Sequence, residues 1–100
     1  MNRTIRHQRR GVAFEWDSAK AVSNALRHGV PFELACEVFF DPFVRVIKAE
    51  EPEEARDAAI GYTESQILLF VVHVIRHEEV IRIISARHAT PRERRDYEEF

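Results

Sequence analysis

The segment from Val80 to Arg87 is an apolar run that carries two arginines, and it is the part of the chain best suited to chemistry. An unpaired charge on a buried strand is costly, so Arg82 and Arg87 need either a partner or a ligand. A guanidinium on a rigid strand can hold a phosphodiester by two parallel hydrogen bonds. Arg76 closes the preceding apolar stretch and Arg56 opens the one before it. Several arginines on adjoining strands predict a shared anion site, and salt bridges to acidic side chains are the alternative.

A proton donor or acceptor for such a site must come from another residue type, because arginine stays protonated. His28 stands at the end of a helical pattern, between Arg27 and Gly29. An imidazole can exchange a proton with a ribose 2′-hydroxyl or a leaving 5′-oxygen. The alternative role of His28 is to cap the last carbonyl groups of its helix. The predicted catalytic residues are His28, Arg56, Arg76, Arg82 and Arg87.

Metal and thiol chemistry are not favoured by the pattern. The histidines near the two central strands, His73, His77 and His88, form no closely spaced ligand pair, and no glycine-rich phosphate loop is present. Cys36 lies in an apolar pattern, so a buried thiol is expected there. A single cysteine excludes an internal disulfide and fits a reducing cytosol. We therefore expect a cytoplasmic protein with no metal and no cofactor.

Length and charge favour one small domain without a general affinity for nucleic acid. We predict a flexible basic arm over residues 1–11, with an RNA-contacting tail as the alternative, and a single domain over 12–100. The net charge of −2 excludes an overall basic field, and no apolar run has the length of a membrane span. Acidic residues are concentrated in 50–54. Basic residues cluster at both ends of the chain, at Arg3, Arg6, Arg9, Arg10, Arg92, Arg94 and Arg95.

Two helices are predicted in the first half of the chain, after a short strand over 12–16. Asp17 or Ser18 is a suitable N-cap for the first, and Gly29 suits its left-handed end. Helical spacing of Ala19, Val22 and Leu26 predicts that these residues form its buried face. The second helix is short and runs from Pro31 to about Phe40. Its buried side is expected to contain Phe32, Ala35, Cys36 and Phe39.

The second half predicts four strands and a final helix. The strands are expected over 43–49, 56–63, 66–76 and 80–87, joined by a loop at 50–54 and a tight turn at 77–79. Because the connections are short, neighbouring strands should be antiparallel. Thr90-Pro91-Arg92-Glu93 has the pattern of a capping box and predicts the start of a helix that runs to the terminus. The fold class is therefore α+β, with an antiparallel meander sheet and helices on one face.

The last predicted helix is almost wholly charged. A helix that is polar nearly all round needs either solvent or a partner. One interpretation is a solvated helix held in place by Tyr97. The other is a protein-binding edge, for which the predicted residues are Arg92, Arg94, Arg95 and Tyr97.

From about residue 13 to 99, the chain resembles the BrnT family of toxins from type II toxin–antitoxin modules. The run Arg82-Ile83-Ile84-Ser85-Ala86-Arg87, followed by Ala89-Thr90 and Glu93-Arg94, is the most specific part of the likeness. The other positions that carry it are Phe14-Glu15-Trp16-Asp17, Lys20, Asn24, Arg27-His28-Gly29-Val30, Phe32, Ala35, Phe39, Asp41-Pro42, Ile60-Gly61, Arg76 and Tyr97.

The resemblance implies a compact fold similar to the RelE-like ribonucleases and metal-independent endoribonuclease activity that arrests translation. It also implies a ribbon-helix-helix antitoxin of the BrnA type, which we expect in a 2:2 complex that contacts operator DNA only through the antitoxin. Arg27 and His88 both stand where the family usually has lysine. Arg27 keeps the charge but is a poor proton donor. The residues expected to bind RNA are Lys20, Arg27 and His88.

Two other readings stay open at this point. One is a non-catalytic module of the same fold that binds RNA or an antitoxin, because a fold can persist without its chemistry. The other is a small cytosolic enzyme that uses the same arginines on a phosphorylated metabolite. Growth arrest on expression alone, relieved by a short neighbouring gene, would distinguish the toxin from both.

Overall fold

The protein is an α+β domain built on one mixed sheet. The computed structural model describes residues 2–49 and 56–99, so the acidic loop predicted at 50–54 lies outside the described part. The six strands follow the spatial order β1-β2-β6-β5-β4-β3. They are β1 (Thr4–Arg9), β2 (Val12–Asp17), β3 (Arg45–Ala49), β4 (Arg56–Tyr62), β5 (Leu68–Arg76) and β6 (Val80–His88).

The helices lie between β2 and β3 and after β6. They are α1 (Ser18–His28), α2 (Phe32–Ala35) and α3 (Pro91–Glu98), with 3₁₀ helices at Cys36–Phe40 and His77–Glu79. Asp17 caps α1 by accepting the backbone N–H of Lys20, and Gly29 ends it in the left-handed conformation at φ 70°. Both helix boundaries agree with the caps predicted from the sequence.

The predicted meander is correct for four strands and wrong for the sheet as a whole. Strands β3 to β6 pair antiparallel in chain order, as their short connections require. The first predicted strand, β2, instead pairs in parallel with β6, through Phe14 opposite Ile81 and Glu15 opposite Arg82. The sheet is mixed because the long connection from β2 to β6 imposes no antiparallel direction.

Residues 4–9 do not form the flexible arm that was predicted. They are the edge strand β1, which pairs antiparallel with β2 from Thr4–Asp17 to Arg9–Val12. Alternate residues of β1 are partly buried, and Ile5 packs against the core. The adjacent arginines Arg9 and Arg10 both donate to Glu64 at 2.9 Å. Two arginines of the N-terminal basic cluster, Arg6 and Arg9, are thus part of the sheet.

The core lies between the sheet and the helices α1 and α2. It contains Phe14 and Trp16 from β2, and the α2 region adds Phe32, Ala35, Cys36 and Val38, which are all 0% exposed. Gly61 of β4 faces the same layer. A Cβ there would lie 2.9 Å from the carbonyl oxygen of Val38, so the close approach of the 3₁₀ helix requires glycine.

Helix α1 is turned the opposite way from the prediction. Val22 and Leu26, which were expected inside, are 62% and 84% exposed, and Ala19 is exposed as well. The buried residue is Asn24, with Ala21 and His28 half-buried on the same side. The apolar spacing was real, but hydrogen bonding of Asn24 to the sheet determines which side faces inward.

Helix α3 is fastened to the sheet by polar contacts. The hydroxyl of Tyr97 donates to Asp41 at 2.6 Å, and its ring meets Tyr62 of β4 edge-on. Arg94 donates to the Tyr62 hydroxyl at 2.8 Å. The predicted capping box is present, with Thr90 as N-cap. These contacts confirm that Tyr97 holds the charged helix in place. They hold α3 on the face of the sheet opposite α1 and α2, so the prediction that the helices share one face is wrong for α3.

In the part of the chain that the structure describes, no helix has the length and apolarity needed to cross a membrane.

Candidate functional site

A β-bulge in β6 places the two strand arginines on the same face of the sheet. Arg82 and Arg87 are five residues apart, so a regular strand would direct them to opposite faces. Val72 of β5 pairs with Ser85 and His73 pairs with Ile83, which leaves Ile84 without an opposing residue. Because the bulge absorbs one residue, Arg82 and Arg87 share the face opposite α1 and α2.

Register and alternation assign further arginines to this surface, which we call the arginine face. On β1, Arg6 is opposite Glu15, and on β5 Arg76 is opposite Val80. Strand β3 contributes Arg45, opposite Ile60 of β4. The arginine face consists of Arg6, Arg45, Arg56, Arg76, Arg82 and Arg87.

Arg82 is held by a carboxylate on the neighbouring parallel strand. Its Nη1 donates to Oε2 of Glu15 at 2.8 Å, and the two side chains are only 21% and 14% exposed. Such a half-buried pair fixes the guanidinium in one orientation. An anion that approaches Arg82 would meet its remaining N–H groups, because arginine has five and Glu15 uses one.

Arg87 is held more completely than Arg82. Its Nη1 and Nη2 donate to the two oxygens of Glu93 at 2.7 and 2.9 Å, and the guanidinium lies 4.2 Å from the ring centre of Phe70. The hydrogen bond to Glu93 raises the pKa of Arg87. Burial would raise the pKa of Glu93, but hydrogen bonds from Arg87 and Thr90 outweigh it and hold this pKa below its ordinary value. Arg87 therefore stabilises the start of α3 and remains a cation on the arginine face.

A basic cavity lies at the edge of β6, where β2 has ended and α1 runs alongside. It has a volume of about 150 Å³ and is lined by both residues of the bulge, Ile84 and Ser85. Three of the predicted site residues line it from α1: Lys20, Arg27 and His28. Within the described residues, no carboxylate lies within ion-pairing distance of any of these three. The cavity therefore presents uncompensated positive charge next to an imidazole.

Asn24 joins α1 to the bulged strand. Its Oδ1 accepts the N–H of Ala86 at 3.0 Å, and its Nδ2 donates to the carbonyl groups of Ala86 and Val30 at 2.8 and 3.0 Å. The side-chain amide thus satisfies backbone groups that a neighbouring strand would otherwise bind. Lys20 and His28 lie one helical turn before and one turn after Asn24 on α1. The hydrogen bonds of Asn24 therefore also fix the positions of Lys20 and His28 in the cavity.

The remaining predicted residues are not brought to this cavity. Arg56 and Arg76 lie on the arginine face, but near the end of the sheet where β6 begins. His88 pairs with Leu69, so its side chain is directed to the face opposite Arg87. On α3, Arg92 and Arg95 are exposed, whereas Arg94 and Tyr97 anchor the helix.

Two buried titratable groups are structural. Burial raises the pKa of the Cys36 thiol to about 12, and the side chain is 0% exposed, as predicted for a core cysteine. Burial lowers the pKa of His73, whose Nδ1 donates to the carbonyl of Val71 at 3.1 Å. Across residues 2–49 and 56–99, no group of three histidine, cysteine or acidic side chains is arranged to hold a metal ion.

Glu15, Asn24 and Glu93 are the site residues that the sequence analysis did not assign. All three appeared among the positions of family likeness, and Glu93 was also identified as a capping residue. For Asn24 a local signal existed, because a side-chain amide at the centre of a helix is a candidate for a buried hydrogen-bonding role. The partners of Glu15 and Glu93 depend on the register of β6, which the pattern did not show.

The chain matches a known protein family. A family model described as "Ribonuclease toxin, BrnT, of type II toxin-antitoxin system" matches residues 16–93, which is more than half of the chain. The matched range includes α1, the sheet from the end of β2 to β6, and the capping box of α3. No curated protein matches the chain.

Proposed function

The chain belongs to the BrnT family of ribonuclease toxins of type II toxin–antitoxin systems, and we propose that it is a metal-independent endoribonuclease that arrests translation. The observation that carries this proposal is the bulge in β6. It puts Arg82 and Arg87 on one face and lines the cavity in which His28, Lys20 and Arg27 meet. Guanidinium and ammonium groups can supply the positive charge that a cleaved phosphate requires.

The reaction that fits these groups is attack by a ribose 2′-oxygen on the adjacent phosphorus. The 2′-oxygen bonds to phosphorus and the bond from phosphorus to the 5′-oxygen breaks, which leaves a 2′,3′-cyclic phosphate and a 5′-hydroxyl. In this scheme His28 accepts the proton from the 2′-hydroxyl, and the departing 5′-oxygen takes a proton from solvent water. Lys20 and Arg27, which line the same cavity as His28, hold the phosphate oxygens and stabilise the charge that develops on them.

Cleavage of a single-stranded RNA in the presence of a chelator tests the proposal. The products should carry 5′-hydroxyl and cyclic phosphate ends, and His28→Gln should lower the rate by about 10²–10⁴-fold. His77→Gln is the matched control, because His77 is exposed at the β5–β6 turn, away from the cavity. An unchanged rate for His28→Gln would leave His28 as a helix-capping residue.

The alternative is a non-catalytic module that binds RNA or an antitoxin. The carboxylate partners of Arg82 and Arg87 favour it, because they occupy hydrogen bonds that a phosphate would use. A parent protein that binds RNA without cleaving it, and whose expression does not stop growth, would support this alternative.

We also propose that a small antitoxin with a ribbon-helix-helix DNA-binding half stores the toxin in the cytoplasm as a 2:2 complex. Membership of a type II family implies an antitoxin partner. Arg92 and Arg95 are exposed on one side of α3, so acidic side chains of the antitoxin could pair with them. Two antitoxin chains in one DNA-binding dimer would bring two toxins together.

Light scattering on the co-expressed pair measures the stoichiometry directly. The double variant Arg92→Ala, Arg95→Ala should slow association with the antitoxin at low salt, because charge pairing mainly affects the association rate. Arg3→Ala is the control for loss of charge elsewhere. If the toxin stays monomeric when it is co-expressed with each protein that a neighbouring gene encodes, the proposed complex is wrong.

A further inference from the structure

A second cavity, of about 300 Å³, lies on the arginine face beside the start of β6. It is formed by the β1–β2 hairpin and Val80, which is two residues before Arg82 on the same face. Register places Arg6, Gln8 and Glu15 on this face as well. Strand β1 forms one wall of the cavity. The flexible arm predicted over residues 1–11 would not have formed this wall.

The walls of this cavity combine apolar surface with groups of defined hydrogen-bonding character. Ala13 and Val80 provide aliphatic surface on which a flat ring can lie. Arg6 offers donors, Gln8 offers one acceptor and two donors, and Glu15 offers acceptors. Oε2 of Glu15 binds Arg82, whereas Oε1 has no hydrogen-bond partner within the described part of the chain. A few polar groups around an apolar floor are typical of a small-ligand site.

We infer that this cavity holds a base of the RNA substrate and that its donors and acceptors select guanine, an inference that rests on the proposed function. Arginine pairs with O6 and N7 of guanine, the commonest specific contact that proteins make to a base. The N1–H and 2-amino groups of guanine would donate to Glu15 Oε1 and to the amide oxygen of Gln8. Uracil has no N7 acceptor and no amino group, so it would leave these polar groups unpaired.

The position of Arg82 explains why a nucleotide suits the cavity better than an isolated flat ligand. Arg82 is bonded to the cavity residue Glu15 and lies about 7 Å along β6 from Val80. A phosphate bound to the free N–H groups of Arg82 would therefore keep an attached nucleotide within reach of the cavity. Sequence-specific RNA recognition generally uses unstacked bases of this kind.

Binding of short 2′-O-methyl oligonucleotides tests the inference without cleavage, because the methyl group blocks the attacking oxygen. Three oligonucleotides differ at one position, which is guanine, inosine or uracil, and fluorescence anisotropy gives their Kd values. We expect the parent to prefer guanine over uracil by about 5- to 100-fold, with inosine in between because it lacks only the amino group.

Variants of the edge strand separate base recognition from charge. Arg6→Ala and Gln8→Ala should each reduce the guanine preference at least several-fold, and Arg6→Lys should resemble Arg6→Ala because lysine lacks the two-pronged geometry. Arg3→Ala, which removes the same charge outside the cavity, should weaken all three oligonucleotides equally.

Equal binding of the three oligonucleotides by the parent, or no binding of any, would overturn the inference. So would a guanine preference that survives in Arg6→Ala, Arg6→Lys and Gln8→Ala alike. Failure of the proposed function appears separately, as intact unmodified RNA after incubation with the parent. A parent that cleaves RNA without a base preference thus refutes the subsite and leaves the ribonuclease in place.

Discussion

Helix α1 and the helical segment that follows it, α2 with its 3₁₀ extension, pack on the same sheet in opposite ways. The second segment buries Phe32, Ala35 and Cys36 and has the amphipathic pattern of an ordinary core helix. Helix α1 buries Asn24 and exposes Val22 and Leu26. One segment contributes apolar area, whereas the other contributes hydrogen bonds to β6 and the charged lining of a cavity.

The two segments therefore contribute in different ways to the fold and to the cavity. Removing apolar area from water stabilises a fold without directing it, because the hydrophobic effect is non-directional. Hydrogen bonds between one side-chain amide and three backbone groups fix a helix in one position and rotation. Lys20 and His28, for which we propose roles in RNA cleavage, lie on the helix that is held by such bonds.

The largest expected effect on stability lies in the second segment. Phe32→Ala should lower the free energy of unfolding by about 3–5 kcal/mol, because Phe32 is 0% exposed and its loss leaves a cavity in the core. Denaturant unfolding measures this, with Phe43→Ala as control, since Phe43 is 64% exposed. Similar losses for the two phenylalanines would mean that the second segment is not the anchor of the core.

Asn24→Ala should have the next largest effect, and it should act on activity as well as on stability. Ala86 would lose partners for its N–H and C=O groups, which lowers the free energy of unfolding by about 2–3 kcal/mol. We expect RNA cleavage to fall further than the folded fraction, because His28 loses its fixed position. Val22→Ala is the control on the exposed side of the same helix. Activity that follows the folded fraction alone would assign Asn24 a purely structural role.

A smaller effect, dependent on pH, is expected at the end of the second segment. Burial would raise the pKa of Asp41, but hydrogen bonds from Tyr62, Tyr97 and Phe43 outweigh it and hold this pKa below its ordinary value. The ionised Asp41 carboxylate therefore stabilises the fold above about pH 4, its ordinary pKa. This contribution is lost as the pH falls through the lowered pKa.

Asp41→Asn should accordingly cost about 1–2 kcal/mol at pH 7 and much less near pH 2. Urea unfolding across this range compares it with Asp96→Asn, whose parent carboxylate is exposed on α3. A deficit for Asp41→Asn that grew as the pH fell would contradict the sign of this argument.

The smallest effect is expected on the outer side of α1. Leu26→Gln should change the free energy of unfolding of the isolated protein by no more than about 0.5 kcal/mol, because Leu26 is 84% exposed. A loss above about 1.5 kcal/mol would show that this side is buried in solution, and the contrast between the two segments would then disappear.

Local patterns predicted much of this fold. The caps Asp17 and Gly29, the capping box at Thr90 and the strands β3 to β6 follow from residue types within a few positions of each other. Strand β1 escaped prediction because an edge strand faces solvent along much of its length, so Thr4–Arg9 contains one aliphatic residue in six.

The missing parts of the site depend on contacts between distant residues. Apolar spacing predicted that Val22 and Leu26 form the buried face of α1. The sequence around Asn24 does not show that its side chain would bind Ala86, sixty-two positions later, and this contact turns the other side of α1 inward. The set of arginines was predicted, but their common face depends on the bulge, and their carboxylate partners depend on the parallel pairing of β2. Residue types therefore identified candidate residues of the site, whereas strand register determined their arrangement.

The bulge has a consequence that concerns the length of β6. A strand without Ile84 would separate Arg82 and Arg87 by four positions, so regular alternation alone would keep both on the arginine face. Ile83 and Ala86 would also keep their places in the core. The sheet therefore does not need Ile84, whereas the cavity beside His28 has this residue as part of its wall. Strand β6 contains one residue more than its ladder can pair, and that surplus residue belongs to the cavity.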